Sequence, residues 1–286
     1  MADDHFEADW LDLREPADHR SRSRSLVTRL RREGRERGWS RIVDLGAGAG
    51  SNVRYLAGRI PWAREWTVVD HDEALLTRIS SPEASPFFRR VVGDLAEEGI
   101  ESVEGCHVVT ASALLDLVSA PWLDRLSSVC ARSGSAAYFA LSYDGTVAWA
   151  DEDEDDVFVL AAVNEHQRRE KGLGRALGPD APVHAERAFA DAGYRTFLRP
   201  SPWRLKGWRD ARLAVRLVSG WVDAAVEVRP REEERIRAWG VRRSRALSEG
   251  RGGLRVGHMD LLALPAGADG ARAAGSHDGK GSSGAP

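Results

Sequence analysis

Through the first half of the chain, short apolar runs alternate with stretches of helical periodicity. Arg41-Ile42-Val43-Asp44-Leu45, Trp66-Thr67-Val68-Val69-Asp70, Phe88 to Val92, Cys106-His107-Val108-Val109-Thr110 and Ala136 to Ser142 are near-continuous apolar segments of strand length. Between them lie helix-patterned segments from Ser51 or Asn52 to Arg59, from Glu73 to Ile79 and around Pro121 to Cys130. Strands apolar on both faces belong to a parallel sheet covered on both sides, so the alternation predicts a doubly wound α/β fold with helices on both faces.

The flanks read differently. From Phe6 to Arg37 the pattern is helical, with Trp10, Leu11 and Leu13, then Leu26, Val27 and Leu30, and with Pro16 expected to break or restart the helix. Residues 1–39 are therefore expected to form a helical cap on a domain spanning 40–265. Regularity lapses over 144–182, read as an insertion, and returns with helix Val183 to Ala192 and strand Tyr194 to Leu198. A second, helical insertion over 205–247 precedes a last strand, Leu254 to Leu264. Residues 266–286, rich in Gly, Ala and Ser, read as a disordered tail.

Composition narrows the class. A chain of 286 residues, 42% hydrophobic and 30% charged, is globular, and a net charge of −3 gives no general attraction to nucleic acid or anionic lipid. Cys106 and Cys130 fall in apolar surroundings and read as reduced core residues. With no secretory signal and no apolar run of membrane-spanning length, a cytoplasmic protein with small-molecule partners is expected. Oligomeric state does not follow from the residues.

The candidate chemistry sits at strand ends. Gly46, Gly48 and Gly50 follow the first strand and open a helix, which lets the backbone approach a ligand and offers free amides. A dinucleotide fingerprint needs a glycine where this chain has Ser51. Asp44, just before the glycines, would repel a pyrophosphate and attract an ammonium group. Asp70 ends the second strand, about twenty residues past the glycines, where a carboxylate can accept from ribose hydroxyls. His71 extends that site, and Asp72 fits a helix cap. Gly93-Asp94-Leu95 follows the third strand.

Acid, any residue, then three alternating glycines, with Asp70 and Asp94 at the next two strand ends, resembles class I S-adenosylmethionine-dependent methyltransferases. The resemblance covers Arg41 to Ser142 and extends to the final strand. It implies a seven-stranded, mostly parallel sheet with an antiparallel last strand, and S-adenosylmethionine as cofactor. Its binding residues would be Asp44, Gly46, Ala47, Gly48, Gly50, Asn52, Asp70, His71, Asp94, Leu95 and Ser112, with Asp94 and Leu95 clamping adenine. Arg14 or Arg20 is expected to pair with the methionine carboxylate. The segment Thr110 to Asp116 lacks the Asn or Asp, two prolines and aromatic that mark methylation of planar amino groups.

Methyl transfer needs positioning and at most one base. His166, Asp116 and Tyr143 are the catalytic candidates. Asn164, Gln167, Arg168 and Lys171 are expected to form a substrate-facing lid, with Trp203 also in the site. The acidic run Asp151 to Asp156 reads as a solvated loop without metal-ligand spacing that would favour a cationic substrate. Two other readings stay open: a nicotinamide oxidoreductase, for which a Tyr-Lys pair at short helical spacing is lacking, and a non-catalytic cofactor-binding module.

Overall fold

A computed structural model describes residues 8–83 and 85–266. The expected tail lies outside them, apart from Ala266. Helices α1 (Ala8–Ser21) and α2 (Arg24–Glu36) lead into β1 (Arg41–Leu45), followed by α3 (Ser51–Ala57), β2 (Glu65–Asp70), α4 (Glu73–Thr77), β3 (Phe87–Val92), β4 (Val108–Ser112), α5 (Ala120–Ser133) and β5 (Ala136–Trp149). The second half contains α6 (Asp156–Gln167), a hairpin of β6 (Glu170–Lys171) and β7 (Gly174–Arg175), α7 (Ala181–Asp191), β8 (Tyr194–Pro200), β9 (Trp203–Lys206), α8 (Gly207–Val228), α9 (Glu233–Ser248) and β10 (Gly253–Pro265).

The main sheet runs β3-β2-β1-β4-β5-β10-β8. Strands β3 to β5 are mutually parallel, and β10 is antiparallel to both β5 and β8. This is the doubly wound, mostly parallel α/β sheet with an antiparallel strand near one edge that the sequence leads one to expect. Chain order reverses at β1, so the crevice at the carboxyl ends of β1, β2 and β4 is a topological switch point, where open α/β sheets bind ligands.

Alternation along β1 sends Ile42 to one face and Val43 and Leu45 to the other. The first face packs Trp66, Val68, Tyr138, Leu30 of α2 and the α8–α9 pair; the second packs Val109, Phe139, Leu126 of α5 and Phe189 of α7. Both cysteines are buried and unbridged, as expected. No helix among the described residues is long and apolar enough to cross a membrane.

Four expectations change. Pro16 lies inside α1, on an exposed face where the Asp12 carbonyl it cannot bond is open to water. The helix ends instead at Arg22-Ser23, where Arg22 turns into the core and the Ser23 amide donates to the Asp260 carboxylate at 2.8 Å. The segment after Ser142 is not irregular: β5 continues to Trp149, and α6 and the hairpin follow. The acidic run is not a solvated loop, because Arg242 pairs with Asp153 and Asp155, Arg235 with Asp155 and Arg243 with Asp156. Those guanidiniums tie the start of α6 to α9 and neutralise Asp153, Asp155 and Asp156, while Asp151, Glu152 and Glu154 stay exposed. Finally, β9 pairs with Gly253 to Val256 as an eighth strand that the second insertion concealed.

Asp260 joins these parts. Between the pairs Ser142–Met259 and Phe139–Leu261, two residues of β5 oppose the single Asp260, a bulge in which Leu141 adopts φ +57° and its amide donates to Asp260 at 2.9 Å. The carboxylate is wholly buried and accepts from two backbone amides belonging to different elements. Asp260→Ala should cost about 2–4 kcal/mol, because two buried amides lose their acceptor; urea unfolding of the full chain measures it.

Candidate active site

The parallel register places Asp44 of β1 beside Thr110 of β4. Thr110 Oγ1 donates to Asp44 Oδ1 at 2.7 Å, and Asn52 Nδ2, one residue into α3, donates to the same oxygen. The other oxygen, Oδ2, is buried without a hydrogen-bond partner. Burial pushes the Asp44 carboxyl up to about 6, against the two hydrogen bonds and the nearby Arg22 charge, which hold it down.

Above Asp44 the backbone turns through Gly46, Gly48 and Gly50, all at positive φ. Gly50 is the most constrained. Its φ is +82°, it caps α3, and a Cβ there would lie 2.7 Å from Ile79 Cγ2. The loop floors a cavity of about 600 Å³. Gly46, Ala47, Gly48, Asn52 and Ser112 line it, whereas Gly50 shapes the loop from behind and Asp44 lies beneath Asn52, outside the lining. The direct exposure expected for Asp44 is thus replaced by contact through Asn52, because the side chain follows the Ile42 face of β1 into the core.

Asp70 and Asp94 line the same cavity, with His71 and Leu95 beside them. Asp70 Oδ2 accepts from the Gly48 amide at 2.7 Å and Oδ1 from the Asp72 amide at 3.0 Å, which ties the glycine loop to the end of β2. Asp72 caps α4 by accepting from Leu75 at 3.1 Å, as its position suggested. Asp94 accepts from the Ala96 amide and remains exposed toward the cavity mouth.

Helix α1 covers the glycine loop, with Leu11, Arg14, Glu15 and Asp18 in the cavity wall. It is latched by His19 on Ser51 and by ion pairs from Arg54 to Glu15 and from Arg78 to Asp12. Arg14 lines the cavity and is held by Asp18 at 2.9 Å. Arg20 is not in the site. It projects from the opposite side of α1 and pairs with Asp210 of α8 at 2.6 Å.

The far wall is apolar, built from Leu114, Leu117, Val118 and Leu173, and joined there by His166 and Lys171. His166 Nε2 lies 3.2 Å from a Glu227 carboxylate oxygen, while its Nδ1 is buried without a partner. Burial lowers the His166 pKa, partly offset by Glu227. The remaining lid residues lie outside the cavity lining. Asn164 accepts from the Tyr143 hydroxyl and donates to the Gly145 carbonyl; Arg168 pairs with Asp180; and Gln167 accepts from Lys171 Nζ at 2.9 Å.

Tyr143 lies outside the lining, and burial raises its pKa far beyond the range of a general base. Asp116 also lies outside it, with its pKa raised by burial. Trp203 is 2% exposed, because β9 turns its indole inward to donate to Asp18 and stack under Arg14. Leu11, Glu15, Asp18 and the Leu114–Val118 wall were missed in the sequence, because only the packing of α1 over the loop and the turn after β4 brings them to the cavity.

No family model matches the chain, and no curated protein does. Solved methyltransferase structures resemble it. An O-methyltransferase family protein from Burkholderia thailandensis aligns at 15% identity over 80% of this chain and 52% of its own, with a TM-score of 0.41. Human N-acetylserotonin methyltransferase in complex with SAM aligns at 15% identity over 65% and 48%, with a TM-score of 0.40. A SAM-dependent methyltransferase from Geobacter sulfurreducens in complex with S-adenosyl-L-homocysteine aligns at 15% identity over 91% and 98%, with a TM-score of 0.45. The chain spans about half the length of the first two.

Gly50→Ala should destabilise the protein by about 1–3 kcal/mol, since it combines a left-handed backbone with a contact against Ile79. Thermal melting of the full chain measures the loss.

Proposed function

We propose that the chain is an S-adenosylmethionine-dependent methyltransferase acting on a small molecule. The observation that carries this reading is one cavity lined by the glycine loop, Asp70 and Asp94, with Asp44 reaching it through Asn52. Carboxylates around one cavity, with Asp70 and Asp94 lining it and Asp44 beneath, favour a ligand carrying a cation, hydroxyls and an exocyclic amine over a pyrophosphate. The Gly48 amide, which a phosphate would need, is engaged by Asp70. The orphaned Asp44 oxygen and the glycine cradle both fit the cofactor.

Bound there, S-adenosylmethionine supplies a sulfonium methyl group. Asp70 would accept from the ribose hydroxyls and Asp94 from the adenine amine. The Asn52–Asp44 pair would face the methionine ammonium, and Arg14 its carboxylate. The apolar wall from Leu114 to Val118 and Leu173 would exclude water and seat the acceptor. His166, neutral at pH 7 because burial lowers its pKa, is the side chain in this wall suited to take a proton from an acceptor oxygen or nitrogen. A cavity of about 600 Å³ is of ligand size, about 300–1,000 Å³, and suits a small acceptor. Buried, unbridged cysteines agree with a cytoplasmic setting.

Calorimetry with S-adenosylhomocysteine tests the cofactor. Wild type should bind it and ignore nicotinamide dinucleotides. Asp70→Ala should weaken binding about tenfold or more through loss of charge-assisted hydrogen bonds; equal affinities would refute the assignment. Transfer from labelled cofactor to a metabolite extract separates an enzyme from a binding module. His166→Gln should lower that transfer about 100-fold with S-adenosylhomocysteine affinity kept within about twofold. In wild type, transfer should fall as pH drops through a midpoint below 6.5, where His166 takes up a proton.

A further inference from the structure

Arg22 is 4% exposed at the turn between α1 and α2, and a guanidinium out of water needs counter-charge. Its side chain lies over the rings of Tyr55 and Tyr138, 4.4 and 5.4 Å from their centres, and donates to Asn52 Oδ1 at 2.8 Å. Asn52 in turn donates to Asp44 and, at 3.1 Å, to Thr110. Arg22, Asn52, Asp44 and Thr110 therefore form one buried chain beneath the glycine loop. Its two loose ends are Arg22 Nε and Asp44 Oδ2, both buried and without hydrogen-bond partners.

We propose that Arg22 is a positioning residue of the methyl-donor site: through Asn52 it fixes the Asp44 carboxylate under the cavity, and its charge keeps that carboxylate ionised. The proposal rests on the methyltransferase reading, and Arg22 itself does not line the cavity. Four groups face Asp44. Arg22 approaches from the α1–α2 turn, Asn52 from α3, Thr110 from β4 and Asp70 from β2; of these, only Arg22 brings positive charge. Asp260 of β10 and Tyr138 of β5 face Arg22 from the other side and hold it in place.

Burial pushes the Asp44 carboxyl up to about 6 even with Arg22 present. Below that pH Asp44 is neutral and its pull on a methionine ammonium is lost, so affinity for S-adenosylhomocysteine should fall as pH falls. Without the guanidinium the midpoint should rise by about one unit, into the neutral range.

Calorimetric titration of the full chain with S-adenosylhomocysteine from pH 5 to pH 8 tests this. Relative to wild type, Arg22→Gln should move the midpoint up by about one unit and weaken binding up to about tenfold near pH 6, with little loss at pH 8. Arg22→Lys should keep the wild-type midpoint. His19 and His166 also titrate near the cavity, so Asp44→Asn isolates the carboxylate: in that background Arg22→Gln should move nothing. Weakening that is equal at every pH, with an unmoved midpoint, marks a merely structural role and overturns the proposal. Should Arg22→Gln not fold, Arg22→Met keeps the apolar stem over Tyr55 and Tyr138 without the charge; the midpoint should rise, and an unmoved one overturns the proposal. Absence of binding by wild type at every pH would instead overturn the methyltransferase reading itself.

Discussion

A carboxylate taken wholly out of water at the end of a central strand has to be met by donors and by opposite charge, and Asp44 is where the architecture answers that demand. The β1–β4 register supplies Thr110, the first turn of α3 supplies Asn52, and the turn between α1 and α2 supplies Arg22. Each contribution constrains an element. The start of α3 sets the glycine loop, and the inward turn of Arg22 ends α1 where Ser23 can reach Asp260. Helix α1 is thereby held over the cavity by the same buried charges that shape its floor.

The cavity divides into two chemistries. Along the carboxyl edge of β1, β2 and β3, acids and glycine amides are knitted together by short hydrogen bonds, Gly48 to Asp70 among them, so that edge is ordered before any ligand arrives. Across from it stands an apolar wall from the turn after β4 and the β6–β7 hairpin, with His166 carried on α6. Helix α6 is anchored at its start by the Asp156–Arg243 and Asp155–Arg235 pairs and at its end by the Glu165–Arg229 pair. The two insertions thus brace one another, and their shared ion pairs place a histidine opposite the glycine loop.

Fold class and the carboxyl-edge acids were legible because both are local patterns. Apolar runs of strand length, spaced by helices, have few ways to bury both faces, and glycines between a strand and a helix mark a tight approach wherever they occur. The β9 strand was hidden because its four residues are too short for a periodic signal and owe their conformation to pairing with β10. Trp203 looked suited to a pocket and is core, because strand pairing turned its indole toward Asp18.

The arginines show the boundary most sharply. The arginines at 20, 22 and 24 are alike in type and spacing, yet Arg20 is exposed and pairs with the buried Asp210 of α8, Arg22 lies buried against Asn52 and Arg24 is exposed. Sequence by itself determined the sheet, the glycine turn and the strand-end carboxylates, since these follow from burial periodicity and backbone sterics within a few residues. Only the tertiary structure decided which arginine goes inside and which acid it answers. A buried charge is tolerable only beside partners that the rest of the chain must first bring into place.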